Sequence, residues 1–353
     1  MKKWKIWVAN LALAAFLLPF ASEAYACTRI VYKGPNNTII TARSMDWKDA
    51  MYSNIWVFPR GMERTGEVGK ASAKWKSKYG SVIVSAFDIA TSDGMNEKGL
   101  VSNILWLIES QYPDYDPNGS VKQKGMSLAL WAQYVLDNYA TVQEAVADLQ
   151  KNPITIVTAN TPGRNSLATV HLSISDAKGD NAILEYIDGK LMVYHDPSYT
   201  VLTNSPTYDK QLAIRNYWEF LPGNLVLPGT GRSEDRFARA SYYATAVEQS
   251  DDTVIAVGSA FSVIRNCSVP YGVHIENQPN LSTTRWRTVS DQKNLVYYYE
   301  DPLTLAPLWL DLKTLDFSEK ASVKKLDVSN KQQYFGLANA HLANTKPFQF
   351  MGI

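Results

Sequence analysis

The order of the predicted elements points to an α+β fold, a sandwich in which sheets stack between helical layers. Three observations carry this expectation. From Thr28 to about residue 108 the chain is rich in short strands. Two blocks of paired helices follow, separated by more strands. No repeat, low-complexity segment or linker breaks the 353-residue chain into parts.

The elements run in this order. "TRIVYKG" and "TIITARSM" flank the turn Gly34-Pro35-Asn36-Asn37, whose Pro and Asn suit central turn positions. "NIWVF", "SVIVSAF" and "GLVSNILWLI" are further strands. "MSLALWAQYVLDNYA" places apolar residues at helical spacing, and Thr141-Val142-Gln143-Glu144 opens a second helix as a capping box. "LATVHLSIS", "NAILEYIDG", "KLMVYH" and "YTVLTNSP" return to strand. "SEDRFARASYYATAVEQ", with Ser233 expected as its cap, and "DDTVIAVGSAFSVIRN" form the second helical pair. "NLVYYYE" and "APLWLDL" close the chain as strands.

Residues 1–26 read as a secretory leader. Lys2, Lys3 and Lys5 precede an apolar run over 6–18, and Ala24-Tyr25-Ala26 is a small-x-small cleavage site. The run is shorter than the roughly 20 residues needed to span a bilayer, so a lasting membrane anchor is not expected. Cleavage after Ala26 implies a periplasmic or secreted protein, and leaves one domain over 27–353. Removing Lys2, Lys3, Lys5 and Glu23 moves the net charge from +1 to −1. Neither value suggests a nucleic-acid partner. The locally basic "KASAKWKSKYG" reads as a solvated strand or loop.

The chain has two cysteines, Cys27 and Cys267. An oxidising compartment would let them pair. Such a bridge would tie down only the first mature residue, an odd use of the chain's only disulfide. The histidines His171, His195, His274 and His341 are scattered, and no metal-ligand spacing or G-x-S-x-G elbow occurs. "LPGTGRS" lacks the lysine of a phosphate loop and reads as a turn. No metal or cofactor is implied.

Cleavage after Ala26 would give Cys27 a free α-amine. Its unperturbed pKa of about 7.7–8.0 suits a general base, so nucleophile and base would share one residue. If Lys33 pairs with Thr38, Cys27 lies opposite Ser44, with Arg43 and Met45 as diagonal neighbours. Arg43 would place a cation near the sulfur. Asp46 is near enough in sequence to hold an ammonium, but alternation puts it on the other face, so a bulge or strand end is expected between them. The rival is lipidation of Cys27, which ordinarily wants leucine three residues earlier, where Ala24 stands.

The opening "CTRIVY…TARSMDW" resembles the choloylglycine hydrolase family, the cysteine N-terminal-nucleophile amidases that include penicillin V acylases and bile salt hydrolases. "DGMNEKGL", "VLTNSPTYDKQL", "LPGTGRSEDRFARA" and "RWRTVSDQKNLVYYYED" follow in family order. The resemblance implies a four-layer αββα fold and a linear-amide hydrolase. It implies Cys27 as nucleophile, Arg43 beside the sulfur and Asp46 on the α-amine. It further implies Asn204 in the oxyanion hole and Arg236 as a second active-site arginine. Read without it, Asn204 would cap a turn before Pro206 and Arg236 would be a helix-surface charge. Six residues past Leu100, where bile salt hydrolases usually carry asparagine, stands Trp106. Its backbone N–H would be the second oxyanion donor, and its ring with Trp47 would line the acyl pocket or simply pack in the core. That pattern resembles the Gram-negative branch, which favours penicillin V and, in some members, long-chain acyl homoserine lactones. Conjugated bile salts are the alternative substrate. A non-catalytic periplasmic binding protein or lipoprotein is the alternative of another class. A homotetramer is the assembly the family often takes.

Overall fold

The computed structural model describes residues 27–118, 123–221, 223, 225–273, 282–330 and 332–353. The expected leader and His274 lie outside the described residues. Two large sheets dominate. The seven-stranded sheet runs Val201–Leu202, Thr28–Gly34, Thr38–Trp47, Thr283–Asp291, Val296–Glu300, Leu308–Asp311 and Gly336–Leu337. The nine-stranded sheet runs Lys190–His195, Asn181–Ile187, Val170–Ser175, Val101–Trp106, Ala90–Asn96, Ser81–Ala86, Ile55–Phe58, Lys324–Leu326 and Ala343–Asn344. Helices Ser233–Ala246 and Thr253–Asn266 cover the first sheet, and Trp131–Asn138 and Val142–Lys151 cover the second. The result is the four-layer αββα sandwich.

The strand Thr38–Trp47 explains how this architecture builds a site. All ten of its residues are buried, because helices cover one face and the second sheet the other. Its odd-numbered residues face the second sheet: Thr41 Oγ lies 2.7 Å from Ser175 Oγ, and Arg43 reaches Ser92. Its even-numbered residues face the helices. The layer between the sheets is therefore partly polar, and hydrogen bonds cross it, as Gln292 Nε2 donating to the Gly99 and Ser175 carbonyls illustrates.

Four local expectations are corrected. The first hairpin pairs Gly34 with Thr38 and Thr28 with Ser44, one residue off the predicted register. Asn36 and Asn37 both take left-handed φ, 53° and 55°, which leaves Pro35, Asn36 and Asn37 in the loop. The bulge expected in Thr38–Trp47 lies instead on its neighbour, between Thr284 and Trp286. Ser233 does not cap its helix; it is the first helical residue, and its hydroxyl is used elsewhere. The helical block at Met126 begins as a short strand, Gly125–Ser127, and becomes α-helical only at Trp131. The helix Tyr208–Glu219 had no sequence expectation; only Tyr208 and Gln211 are buried, so it shows no apolar stripe. Thr141 caps its helix as predicted, with Oγ accepting from Glu144 N at 3.2 Å, but the Glu144 carboxylate takes the Ala140 N–H at 2.8 Å rather than that of Thr141, so the box is only half formed.

Candidate active site

The corrected register decides what surrounds Cys27. Extending it by one residue sets Cys27 opposite Met45, so Met45 and Arg43 share its face toward the second sheet. Cys27 is buried, with Sγ 3.8 Å from Met45 Sδ, 3.8 Å from the Asp46 carbonyl and 4.0 Å from Arg43 Nη2.

Arg43 is wholly buried and held on several sides. Nη1 donates to Ser92 O at 3.0 Å and Ser92 Oγ at 3.1 Å, and Nη2 donates to the Ile104 carbonyl. Asp93 Oδ2 lies 3.6 Å from Nη1, and the guanidinium sits 4.9 Å over the Trp286 ring. Asp93 is fixed in turn by Asn103 Nδ2 at 2.6 Å, Thr288 Oγ at 3.1 Å and the Tyr297 hydroxyl. Burial pushes the Asp93 carboxyl above its ordinary value, against the pull of Arg43.

The helical side supplies the other groups. Asn204 follows the edge strand Val201–Leu202, which pairs with Thr28–Gly34 and so lies beside Cys27. Its Oδ1 accepts from Cys27 N at 2.5 Å and from Arg236 Nη2 at 2.9 Å; its Nδ2 donates to the Trp106 carbonyl at 2.8 Å. Arg236 rises from Ser233–Ala246. Nη1 donates to Cys27 O at 2.5 Å and Thr28 Oγ at 2.6 Å, and Nε donates to Gly231 O at 3.0 Å. It is no helix-surface charge: it is fully buried, and burial lowers its pKa against the opposing charges of Asp46 and Cys27. Ser233 Oγ accepts from Asn204 N at 2.9 Å and donates to Thr203 Oγ at 3.0 Å. Gln211 Nε2 donates to the Asn204 carbonyl at 2.6 Å.

Asp46 faces this helical side. Its carboxylate accepts from Ser44 Oγ at 3.1 Å and from Thr284 Oγ. Burial pushes its pKa up to about 6, opposed by the Arg236 charge and the two hydroxyls. The hydrogen bond from Cys27 N goes to Asn204 rather than to Asp46. In the intact chain that nitrogen is an amide with one hydrogen; a freed amine has more to donate.

Cys27 opens on a cavity of about 120 Å³ between the sheets. Its walls are apolar, with Met45, Met51, Phe87, Leu128 and Val170 among them. Trp47 and Trp106 both line it, their ring centroids 5.3 Å apart and tilted by 56°.

The geometry thus brings Cys27, Arg43, Asn204, Arg236, Trp47 and Trp106 around one point, with Asp46 behind it. Cys267 is free and buried, its thiol pushed up to about 12 by burial, so it forms no bridge with Cys27. Met45, expected only as a diagonal neighbour of Cys27, also builds the site, as do Ser92, Ser233 and Thr284, for which the sequence offered no such role. Asp93 lay within a recognised block, "DGMNEKGL", without a role assigned. Among the described residues no three His, Cys, Asp or Glu groups cluster as for a metal, and no helix is long and apolar enough to cross a membrane.

Residues 27–323 match the model of the linear amide C–N hydrolases, choloylglycine hydrolase family. Penicillin V acylase of Pectobacterium atrosepticum is 46% identical, across 100% of this chain and 99% of that one. Bile salt hydrolase/transferase of Clostridium perfringens is 25% identical, across 77% of this chain and 88% of its own. A solved structure of penicillin V acylase from Agrobacterium tumefaciens superposes with a TM-score of 0.86 at 56% identity, covering 93% of this chain and 100% of that one. The conjugated bile acid hydrolase of Clostridium perfringens shares the fold, with a TM-score of 0.74 at 23% identity over 89% of this chain and 99% of its own.

Proposed function

Because this chain belongs to the choloylglycine hydrolase family of linear amide C–N hydrolases, we propose that it is exported, cut after Ala26, and cleaves penicillin V-type amides from a free N-terminal Cys27. The observation that carries this reading is the placement of both ends of one residue. The Cys27 sulfur opens on an apolar cavity while its nitrogen is held by Asn204. The family match also begins at Cys27.

In this mechanism Sγ attacks the amide carbon and its proton passes to the α-amine. The developing oxyanion is held by Asn204 Nδ2 and the Trp106 backbone N–H. The α-ammonium then protonates the leaving amine as the C–N bond breaks, leaving a thioester on Cys27. Water, deprotonated by the same amine, releases the acid. Arg236 keeps the Cys27 carbonyl and Asn204 Oδ1 in register throughout. Asp46 balances the charge of the ammonium, and Arg43 that of the sulfur.

The cavity supports the choice of acyl group. About 120 Å³ is small beside the roughly 300–1,000 Å³ of sites for drug-sized ligands. With two tryptophans in its wall, it suits a phenoxyacetyl group or an alkyl chain better than a steroid. An acyl homoserine lactone with an alkyl chain is the second substrate this favours. Turnover of penicillin V, glycocholate and an acyl homoserine lactone by processed enzyme tests the choice. Penicillin V should be turned over fastest and glycocholate slowest; equal rates would refute it.

A further inference from the structure

Among the residues lining the acyl cavity, four polar side chains interrupt the apolar wall: Arg43, Thr91, Ser92 and Thr161. Three are committed to protein partners. Thr91 Oγ donates to Gln133 Oε1 at 2.8 Å. Ser92 Oγ accepts from Arg43 Nη1 at 3.1 Å, and Arg43 Nη2 donates to the Ile104 carbonyl. Thr161 differs. It is 6% exposed, yet among the described residues its hydroxyl has no hydrogen-bond partner. Buried hydroxyls are ordinarily satisfied, so a residue of this apolar wall carries a hydroxyl that no protein group claims.

Its position is built rather than incidental. Asn160 and Leu167 pair as an antiparallel bridge, Thr161 N donates to Ser166 O at 2.9 Å, and Arg164 N donates to Thr161 O at 3.0 Å. The backbone of Thr161 is thereby used up within a short tongue. Arg164 ties that tongue to the cavity wall: its Nη2 lies 2.7 Å from Asp49 Oδ2 and its guanidinium 5.3 Å over the Trp47 ring. Pro162 and Ala168 of the same segment also line the cavity.

We infer that Thr161 determines acyl specificity by hydrogen-bonding a single oxygen within the acyl group. The site then selects an ether, ketone or hydroxyl set in an otherwise apolar chain or ring over the all-carbon group of the same length. A hydroxyl both donates and accepts, so all three oxygens are served. The inference rests on the proposed function, because an acyl group reaches Thr161 only when its carbonyl is at Cys27.

The test is a set of amides of one leaving amine whose acyl chains differ by one replacement. A methylene is exchanged for oxygen or carbonyl at successive positions. For each, kcat/KM is taken as a ratio to the all-carbon parent within one enzyme preparation, so loss of active protein cancels. Wild type should favour the oxygen by about 2- to 10-fold at one position, the worth of one net hydrogen bond. Thr161→Ser should keep that ratio, and Thr161→Val should bring it to 1; Thr161→Ala stands in if the valine variant does not fold. A ratio of 1 at every position, or one that survives removal of the hydroxyl, overturns the inference and leaves the amidase reading intact. No turnover of any member overturns the amidase reading and the inference with it.

Discussion

Asn204→Asp separates what Asn204 holds from what it donates. The substitution keeps size and shape. Its carboxylate still accepts from Cys27 N and Arg236 Nη2, and the pairing with buried Arg236 becomes charge-assisted. The other end changes sign: Nδ2–H, which donates to the Trp106 carbonyl at 2.8 Å, becomes an acceptor facing an acceptor. The donor for the oxyanion is lost as well. Removing one such donor elsewhere costs about 2.7–4 kcal/mol, or 10²–10³ in kcat. Asn204→Asp should therefore fold and lose at least 10² in kcat. A carboxylate beside the developing oxyanion pushes toward the upper end. The assay is steady-state hydrolysis of penicillin V by processed enzyme, with thermal unfolding alongside. A stable Asn204→Asp enzyme within tenfold of wild-type kcat would refute the oxyanion assignment.

Three further outcomes follow from the same contacts. Burial holds the Asp46 carboxyl near 6, above an unfolded carboxylate near 4, so the folded chain binds this proton more tightly. Its contribution to stability is greatest below pH 4 and falls by about 3 kcal/mol as pH rises to 6. The unfolding free energy of Asp46→Asn relative to the leader-bearing wild-type chain should rise by about that amount between pH 4 and 7; a pH-independent difference would contradict it. Ser233→Ala strands the Asn204 N–H and should cost about 1–3 kcal/mol in denaturant unfolding, with a fall in kcat that Ser233→Thr restores. Trp47→Ala should raise KM for penicillin V more than it lowers kcat, since the ring forms part of the cavity wall; an unchanged KM would exclude it from the acyl site.

Part of this site was legible because its residues are close in sequence. Cys27 follows a small-x-small motif, and Arg43 and Asp46 lie one hairpin away, so a turn brings them near whatever the rest of the chain does. The expected register is off by one because two consecutive asparagines in left-handed conformation close the turn with three loop residues, Pro35, Asn36 and Asn37, rather than four. That single step exchanges the faces of the strand, which is why Met45 was read as a diagonal neighbour rather than the residue opposite Cys27. The groups that hold Asn204 and Asp46 lie beyond local reasoning for another reason, and Arg236 entered only through the family resemblance. Thr284 is 238 residues from Asp46, and Arg236 is 209 from Cys27; only layer packing joins them. Ser233 shows the limit of local rules, since a serine preceding "EDRFARA" has the pattern of a cap, yet tertiary contact with Thr203 and Asn204 claims its hydroxyl. Thr161 carried no signal at all, because a hydroxyl lacking a partner is visible only once its surroundings are built.

The most direct measurement is the mass of the N-terminal peptide of exported protein quenched during turnover of a slow amide substrate. The account predicts a peptide that begins at Cys27 and carries the acyl group as a thioester, with neither acyl adduct nor turnover in Cys27→Ala. An N-terminus at any other residue, a lipid on Cys27, or an acyl group on a different side chain would contradict it.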